Sequence, residues 1–268
     1  MKLPRLASLA ATLTALAGLA LGGAGVAAAQ EAAATSYVAL GDSYSSGVGA
    51  GNYDSASGSC KRSSNAYPVL WKNRNAPGSF SFTACSGAKT TDVINNQLGP
   101  LNAGTTLVSI TIGGNDAGFA DAMTTCVLQG ESACVARINE ARTYIANTLP
   151  ARLDAVYSAI RAKAPNARVV VLNYPRFYKL NGSCVVGLSE TSRAAINAAA
   201  DHLSDVIAKR VADHGFTFGD VRGPFTGHEI CSGDAWLHSV DWLNITNSYH
   251  PKAAGQSGGY YPVMENLA

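Results

Sequence analysis

The sequence predicts an α/β domain built on a parallel sheet, and three observations carry that prediction. Apolar runs of strand length recur along the chain, segments of helical pattern separate them, and glycine-bearing polar turns follow the runs. Strands that alternate with helices form a parallel sheet covered on both faces, because each crossover has to lie over the sheet. The strand candidates are residues 36–41 (SYVALG), 80–84 (FSFTA), 107–113 (LVSITIG), 167–173 (ARVVVLN) and 216–221 (FTFGDV). Helical stretches fall at roughly 64–75, 90–98, 134–163, 189–213 and 251–266. Pro150 should kink or divide the third, since proline removes a helical N–H and clashes with the preceding turn.

Functional groups of an open parallel sheet gather at the carboxyl ends of its strands. The first run ends in Gly41-Asp42-Ser43, the second in Cys85-Ser86-Gly87 and the third in Gly113-Gly114-Asn115-Asp116. These turns should therefore stand side by side. After the first come Gly47, Gly49 and Gly51, residues that allow a sharp turn or a close approach to a ligand. Two readings compete there: Ser43 as a nucleophile presented at a strand end, or the glycines as a phosphate cradle. The phosphate reading is weak, because the stretch lacks the Gly-x-Gly-x-x-Gly spacing and any Walker lysine.

The amino terminus reads as a secretory leader. Lys2 and Arg5 precede an apolar run from Leu6 to Leu21, and alanine-rich sequence follows. That order is the signal-peptide pattern, with cleavage expected somewhere in 29–34. A membrane anchor is disfavoured, since Gly22, Gly23 and Gly25 interrupt the run before it reaches the ~20 residues needed to span. Residues 35–268 read as a single domain, without repeats, linkers or charge blocks. With 14% charged residues, a net charge of +2 and dispersed basic side chains, nothing builds a nucleic-acid footprint.

All six cysteines, Cys60, Cys85, Cys126, Cys134, Cys184 and Cys231, follow the leader. An even count in an exported chain predicts three disulfides. Sequential pairing closes the shortest loops and is the expectation, one of many formal connectivities. No Cys-x-x-Cys pair is present to suggest zinc, and neither a metal nor a cofactor is expected.

A serine hydrolase needs a hydroxyl, a base to take its proton, and donors aimed at the developing oxyanion. Ser43 can supply the hydroxyl, while the Gly87 backbone and the Asn115 side chain can supply N–H groups; Asn115 could equally be a turn residue bonding its own backbone. Among the histidines, His202 and His214 fit a solvated helix face, and His228 and His238 lie in the long loop before the last helix. His250 is the best base, because Pro251 suits a first helical position and fixes the residue before it. Asp42 reads as a cap next to the chemistry rather than a proton carrier. Tyr44, Phe119, Tyr174, Phe177 and Trp236 would suit acyl chains, although aromatics are more often core.

Together Gly41-Asp42-Ser43, Gly87, Gly114-Asn115-Asp116 and His250-Pro251 resemble the four blocks of the SGNH hydrolases, or GDSL lipase family, in order and over nearly the whole exported chain. The cysteines resemble those of secreted actinobacterial lipases and phospholipases A1. The resemblance implies a flavodoxin-like three-layer α/β/α sandwich, Ser43 as nucleophile, His250 as base, and an oxyanion hole of Ser43, Gly87 and Asn115. It further implies a secreted, extracellular carboxylic ester hydrolase acting on lipids, an acylglycerol lipase or phospholipase A1 that releases fatty acids through a serine acyl-enzyme. A broad-specificity esterase on short acyl or carbohydrate esters, and a noncatalytic binding module, are the alternatives. The expected partner is a lipid ester at a membrane or micelle surface, met by a monomer without stable membrane insertion and without nucleic acid.

One position departs from the family pattern. Asn247 stands three residues before His250, where most relatives carry aspartate. An amide there could hold the wrong tautomer, whereas a main-chain carbonyl can only accept and leaves the other ring nitrogen free. The expectation is a Ser43–His250 dyad oriented by the main-chain carbonyl of Ser248 or Asn247, with Asp241 and Asp234 as rival orienters.

Overall fold

The computed structural model describes residues 34–185 and 187–268; the expected leader lies almost wholly outside them. Five strands form one sheet: β1 (Ser36–Gly41), β2 (Ser79–Phe82), β3 (Leu107–Thr111), β4 (Arg168–Leu172) and β5 (Thr217–Gly219). All pairs are parallel, in the order β2-β1-β3-β4-β5. That is the flavodoxin-like order, whose switch point lies between β1 and β3. The central strands SYVALG, LVSIT and RVVVL are buried along almost their whole length. Their continuous apolar composition, rather than an alternating one, follows from helices covering both faces.

The helices are α1 (Ser43–Ser46), α2 (Tyr67–Asn75), α3 (Thr90–Asn96), α4 (Phe119–Asn147), α5 (Leu149–Lys163), α6 (Glu190–Asp213), α7 (Arg222–Phe225) and α8 (Tyr261–Leu267). On one side α2 packs against α8; on the other α3 packs on α5, which packs on α6, which in turn packs on α4. The core between these layers includes Leu40, Ile110, Ile112, Leu153, Ile160 and Leu172, all fully buried. Each such side chain contributes roughly 1.5–3 kcal/mol by leaving water.

Two expectations need correction. The helix placed at 134–163 starts earlier, at Phe119, and breaks at Gly130 as well as at the expected division beside Pro150. Gly130 adopts φ 82° and kinks α4, and Pro150 occupies the first turn of α5 directly after the break at Thr148. Pro251 is not a first helical position: it pairs with Leu237 in an isolated antiparallel bridge. The helical turns that follow start at Ala253 and run as a π-helix over Gly255–Tyr260 before α8.

The disulfides are Cys60–Cys85, Cys126–Cys134 and Cys184–Cys231. The first ties a 3-10 turn (Ser55–Cys60) to the turn after β2. The second spans the Gly130 kink. The third joins the segments before α6 and after α7.

Candidate active site

The switch point gathers the turns that follow β1, β2 and β3. β1 ends because Gly41 takes φ +122°, where a side chain would be strained and a Cβ would lie 2.5 Å from the Thr111 carbonyl oxygen. The backbone thus leaves the sheet at a point only glycine can occupy. Asp42 then caps α1, its Oδ1 accepting from the Tyr44 N–H at 3.0 Å. That cap leaves Ser43 in the first turn of α1, at the lip of the sheet.

Side chains fix this turn from beneath. Thr111 Oγ1 donates to Asp42 Oδ1 at 2.7 Å, and the Tyr174 hydroxyl donates to Asp42 Oδ2. Ser45 Oγ meets Thr111 Oγ1 at 2.8 Å and accepts from the Thr111 N–H at 3.0 Å. Gln97 pairs with both main-chain groups of Gly41, accepting its N–H at 2.7 Å and donating to its carbonyl at 2.9 Å. Asp42 is fully enclosed, and burial pushes its carboxyl up to about 6 against the pull of those donors.

His250 arrives from the carboxyl-terminal loop. Its Nε2 lies 2.8 Å from Ser43 Oγ, and its Nδ1 lies 3.0 Å from the Ser248 carbonyl oxygen. A carbonyl can only accept, so the ring proton resides on Nδ1 and Nε2 presents a lone pair to the serine hydroxyl. Burial, helped by the charge of nearby His238 and Lys61, lowers the imidazole to about 4 although the Ser248 carbonyl opposes that shift. A neutral ring able to accept a proton is what the surroundings favour.

The rival orienters are engaged elsewhere. Asp241 Oδ1 accepts the N–H groups of Leu243 and Asn244 at 3.1 and 3.0 Å. His228 Nδ1 lies 2.9 Å from the Asp234 carbonyl oxygen and 3.2 Å from its Oδ2. The Asn247 side chain faces Asp241 and Tyr53; its carbonyl accepts the His250 N–H at 3.0 Å rather than the ring. Of the other histidines, His214 faces Asp154 at 3.0 Å, and His238 Nε2 donates to the Gly49 carbonyl at 2.9 Å.

That last contact explains the glycine-rich loop. Gly49 has φ +88°, and a Cβ there would lie 2.7 Å from the Pro251 carbonyl oxygen and 3.0 Å from His250 Cβ. The glycine lets the serine loop lie flat against the histidine loop.

Two amide-bearing turns face the same space. Gly87, at φ +77°, lines the cleft beside Ser43 and His250 together with Asn115. Asn115 donates one amide hydrogen to the Ala88 carbonyl at 3.0 Å, which fixes the amide plane and leaves the second hydrogen for another acceptor. The turn itself is anchored on both sides. Asp116 accepts from Thr90 N–H and Oγ1 at 3.0 and 2.6 Å, and the Gly114 N–H donates to the Tyr174 hydroxyl at 3.2 Å.

Tyr174, Gln97 and Gln256 are the residues that sequence reasoning missed as supports. Tyr174 sits two residues past β4, at a strand end, and was legible only as an aromatic. Gln256 accepts the Tyr67 N–H at 2.9 Å and donates to the Tyr44 carbonyl at 3.0 Å, from a position without any motif.

Two hollows meet at Ser43. A narrow pocket of about 60 Å³ descends between α4 and α6, walled by Phe119, Met123, Ile138, Ile145, Ile196 and Leu203. A wider cleft of about 480 Å³ opens outward past Gly87, Val127, Leu128, Val240 and Trp242. Tyr44, Phe119, Tyr174 and Phe177 line the inner pocket as expected. Trp236 lines neither hollow; it stacks on His228 with ring centroids 3.6 Å apart and meets Phe225 edge-on. Among the described residues no cluster of three or more metal-ligating side chains occurs.

A flavodoxin-like sheet whose switch point presents a serine, an imidazole and converging amides has the architecture of the SGNH hydrolases. Residues 39–257 match the model of the GDSL-like lipase/acylhydrolase family, and the chain belongs to that family. It is 66% identical over 265 residues to Lipase 1 of Streptomyces coelicolor, covering 98% of each chain. The crystal structure of phospholipase A1 from Streptomyces albidoflavus NA297 superposes with a TM-score of 0.87 at 67% identity, covering 88% of this chain and all (100%) of that one. The extracellular lipase of Streptomyces rimosus gives a TM-score of 0.86 at 69% identity, with coverage of 88% and 100%.

Proposed function

We propose that this protein is a secreted carboxylic ester hydrolase that releases fatty acids from acylglycerols and from the sn-1 position of phospholipids. The observation that carries the reading is the 2.8 Å contact between Ser43 Oγ and His250 Nε2 at the junction of an apolar pocket and an open cleft. Relatives named as lipases and as a phospholipase A1 support the lipid substrate.

In this reading His250 accepts the Ser43 proton as the hydroxyl oxygen attacks the ester carbonyl. The N–H groups of Ser43 and Gly87 and the Asn115 amide hold the negative oxygen that forms. Collapse of the tetrahedral species expels the alcohol, which takes the proton from His250. Water, deprotonated by the same imidazole, then frees the fatty acid and returns the proton to Ser43. The Ser248 carbonyl keeps Nδ1 protonated throughout, the orienting task that a carboxylate performs in a triad. The inner pocket would hold the scissile acyl chain and the cleft the rest of the lipid.

Export is supported by the leader pattern of residues 1–34, by three disulfides, and by the extracellular relative. The domain assignment follows: a cleaved leader and one catalytic domain over 35–268. The test is a panel of triolein, tributyrin and phosphatidylcholine with positional analysis of the released acid, run with wild type and Ser43→Ala. Long-chain acids, released from sn-1 in the phospholipid and only by wild type, are expected. Turnover confined to short or sugar esters would replace the lipid reading with a general esterase.

A further inference from the structure

Among the described residues seven large apolar side chains are exposed, and they are not scattered evenly. Leu128, Trp242 and Ile245, at 66%, 69% and 60% exposure, line the outer cleft, and Leu243, at 93%, follows Trp242 directly. The other three, Tyr53, Leu180 and Val185, do not line it. The four come from two segments: Leu128 from α4 just before the Gly130 kink, the rest from residues 242–245.

This display is a built conformation. Asp241 turns inward to cap the N–H groups of Leu243 and Asn244, and its own N–H donates to Ser248 Oγ at 2.8 Å. Asn247 N–H donates to the Asn244 carbonyl at 2.7 Å, and Lys61 Nζ donates to Thr246 Oγ1 at 2.6 Å. These bonds, within the loop and to Lys61, hold the backbone while the apolar side chains stay exposed. Residues 242–248 (WLNITNS) carry no charge; of the charges that bond to them, the Asp241 carboxylate is engaged by the N–H groups of Leu243 and Asn244, and Lys61 is bound to Thr246.

We propose that the Trp242-Leu243-Ile245 segment and Leu128 form a docking rim that seats the cleft mouth on the surface of a lipid aggregate with zwitterionic or uncharged head groups. The inference rests on the lipid reading of the site, and it adds which residues make the contact and by what force. A contiguous apolar rim around a cleft marks an interaction surface. Tryptophan favours the boundary between head groups and chains, where its ring is buried and its N–H stays wet. Attraction comes from burying hydrocarbon, with little contribution from charge, so the enzyme is held with the cleft facing the layer that contains the esters.

The experiment uses the intact, disulfide-bonded protein and vesicles of dialkyl ether phosphatidylcholine, which offer no ester to hydrolyse. Titration should blue-shift and strengthen Trp242 emission, and raising salt to about 0.5 M should leave partitioning unchanged, since screening acts on charge alone. Leu243→Asp should weaken partitioning about tenfold. Turnover of soluble p-nitrophenyl butyrate should stay within about twofold of wild type, because Leu243 lies outside both hollows. Wild type failing to bind, equal partitioning by the variant, or loss of binding in salt would each overturn the proposal. A concentration-dependent dimer abolished by Leu243→Asp would assign the rim to a second copy instead, and would overturn it too. Absence of turnover on the soluble ester would count against the catalytic reading alone, so the two failures are separable.

Discussion

The turn that carries Ser43 and the loop that carries His250 touch at 2.8 Å, yet they are held by different means. The serine turn is fixed by buried side chains: Asp42, Thr111, Ser45 and Tyr174 form one connected set of hydrogen bonds, and Gln97 holds the Gly41 main chain beside it. The histidine loop is fixed mostly by main chain. His238 N–H donates to the His250 carbonyl and Tyr249 N–H to the His238 carbonyl, both at 3.0 Å, while Lys252 N–H reaches the Trp236 carbonyl at 2.8 Å. Side chains also cross between the regions, the Tyr44 hydroxyl donating to the Tyr249 carbonyl at 2.6 Å and His238 Nε2 to the Gly49 carbonyl at 2.9 Å. Tyr249 itself adopts φ 66°, a left-handed conformation that costs a bulky residue roughly 1–2 kcal/mol.

The difference teaches where each half tolerates change. A network of side chains is coded residue by residue and breaks when one member is altered. Main-chain bonds are indifferent to side-chain identity but sensitive to anything that shifts the backbone. The substitution of Asn247 for the family's aspartate fits this division, since what lies 3.0 Å from the ring Nδ1 is the Ser248 main-chain carbonyl, a group that every residue possesses.

The comparison can be broken at its centre or at its edges. Ser43→Ala and His250→Ala should each lower kcat by about 10⁴-fold or more, and the double variant should be scarcely worse, because the two act as a unit. Asn115→Ala should lower kcat by about 10²–10³-fold with little change in KM, as expected for a donor that matters chiefly at the oxyanion. Gly49→Ala tests the backbone half: its Cβ must push against Pro251 and His250, and a loss in kcat of about tenfold to a hundredfold is expected from so small a displacement. At the low end, Asp241→Ala should leave kcat on a soluble ester within about threefold, where removal of a true carboxylate orienter costs about 10⁴.

Much of this architecture was legible in the sequence, and unevenly so. The sheet could be read because doubly buried parallel strands are continuous apolar runs, and the turns after β1, β2 and β3 because glycine, asparagine and serine collect there. The disulfide pairing followed loop length. The amino-terminal half of α4 could not be read: its Thr124-Thr125-Cys126-Val127 run and Gly130 are poor helix formers, and packing against α6 with the Cys126–Cys134 bond overrides that weakness. Pro251 misled because its ring suits a helix start and an isolated bridge alike. Gln97 and Gln256 carried no signal, since their task is to satisfy main-chain groups that only the folded chain brings near.

The tautomer and titration of His250, followed by nitrogen NMR on ¹⁵N-histidine-labelled protein, bear most directly on the account. It predicts a neutral ring at pH 7 with the proton on Nδ1. Because burial lowers the imidazole from its ordinary 6.5 to about 4, protonation should appear only as the pH falls toward 4. A ring protonated on Nε2, or one that becomes charged near pH 6.5, would contradict it.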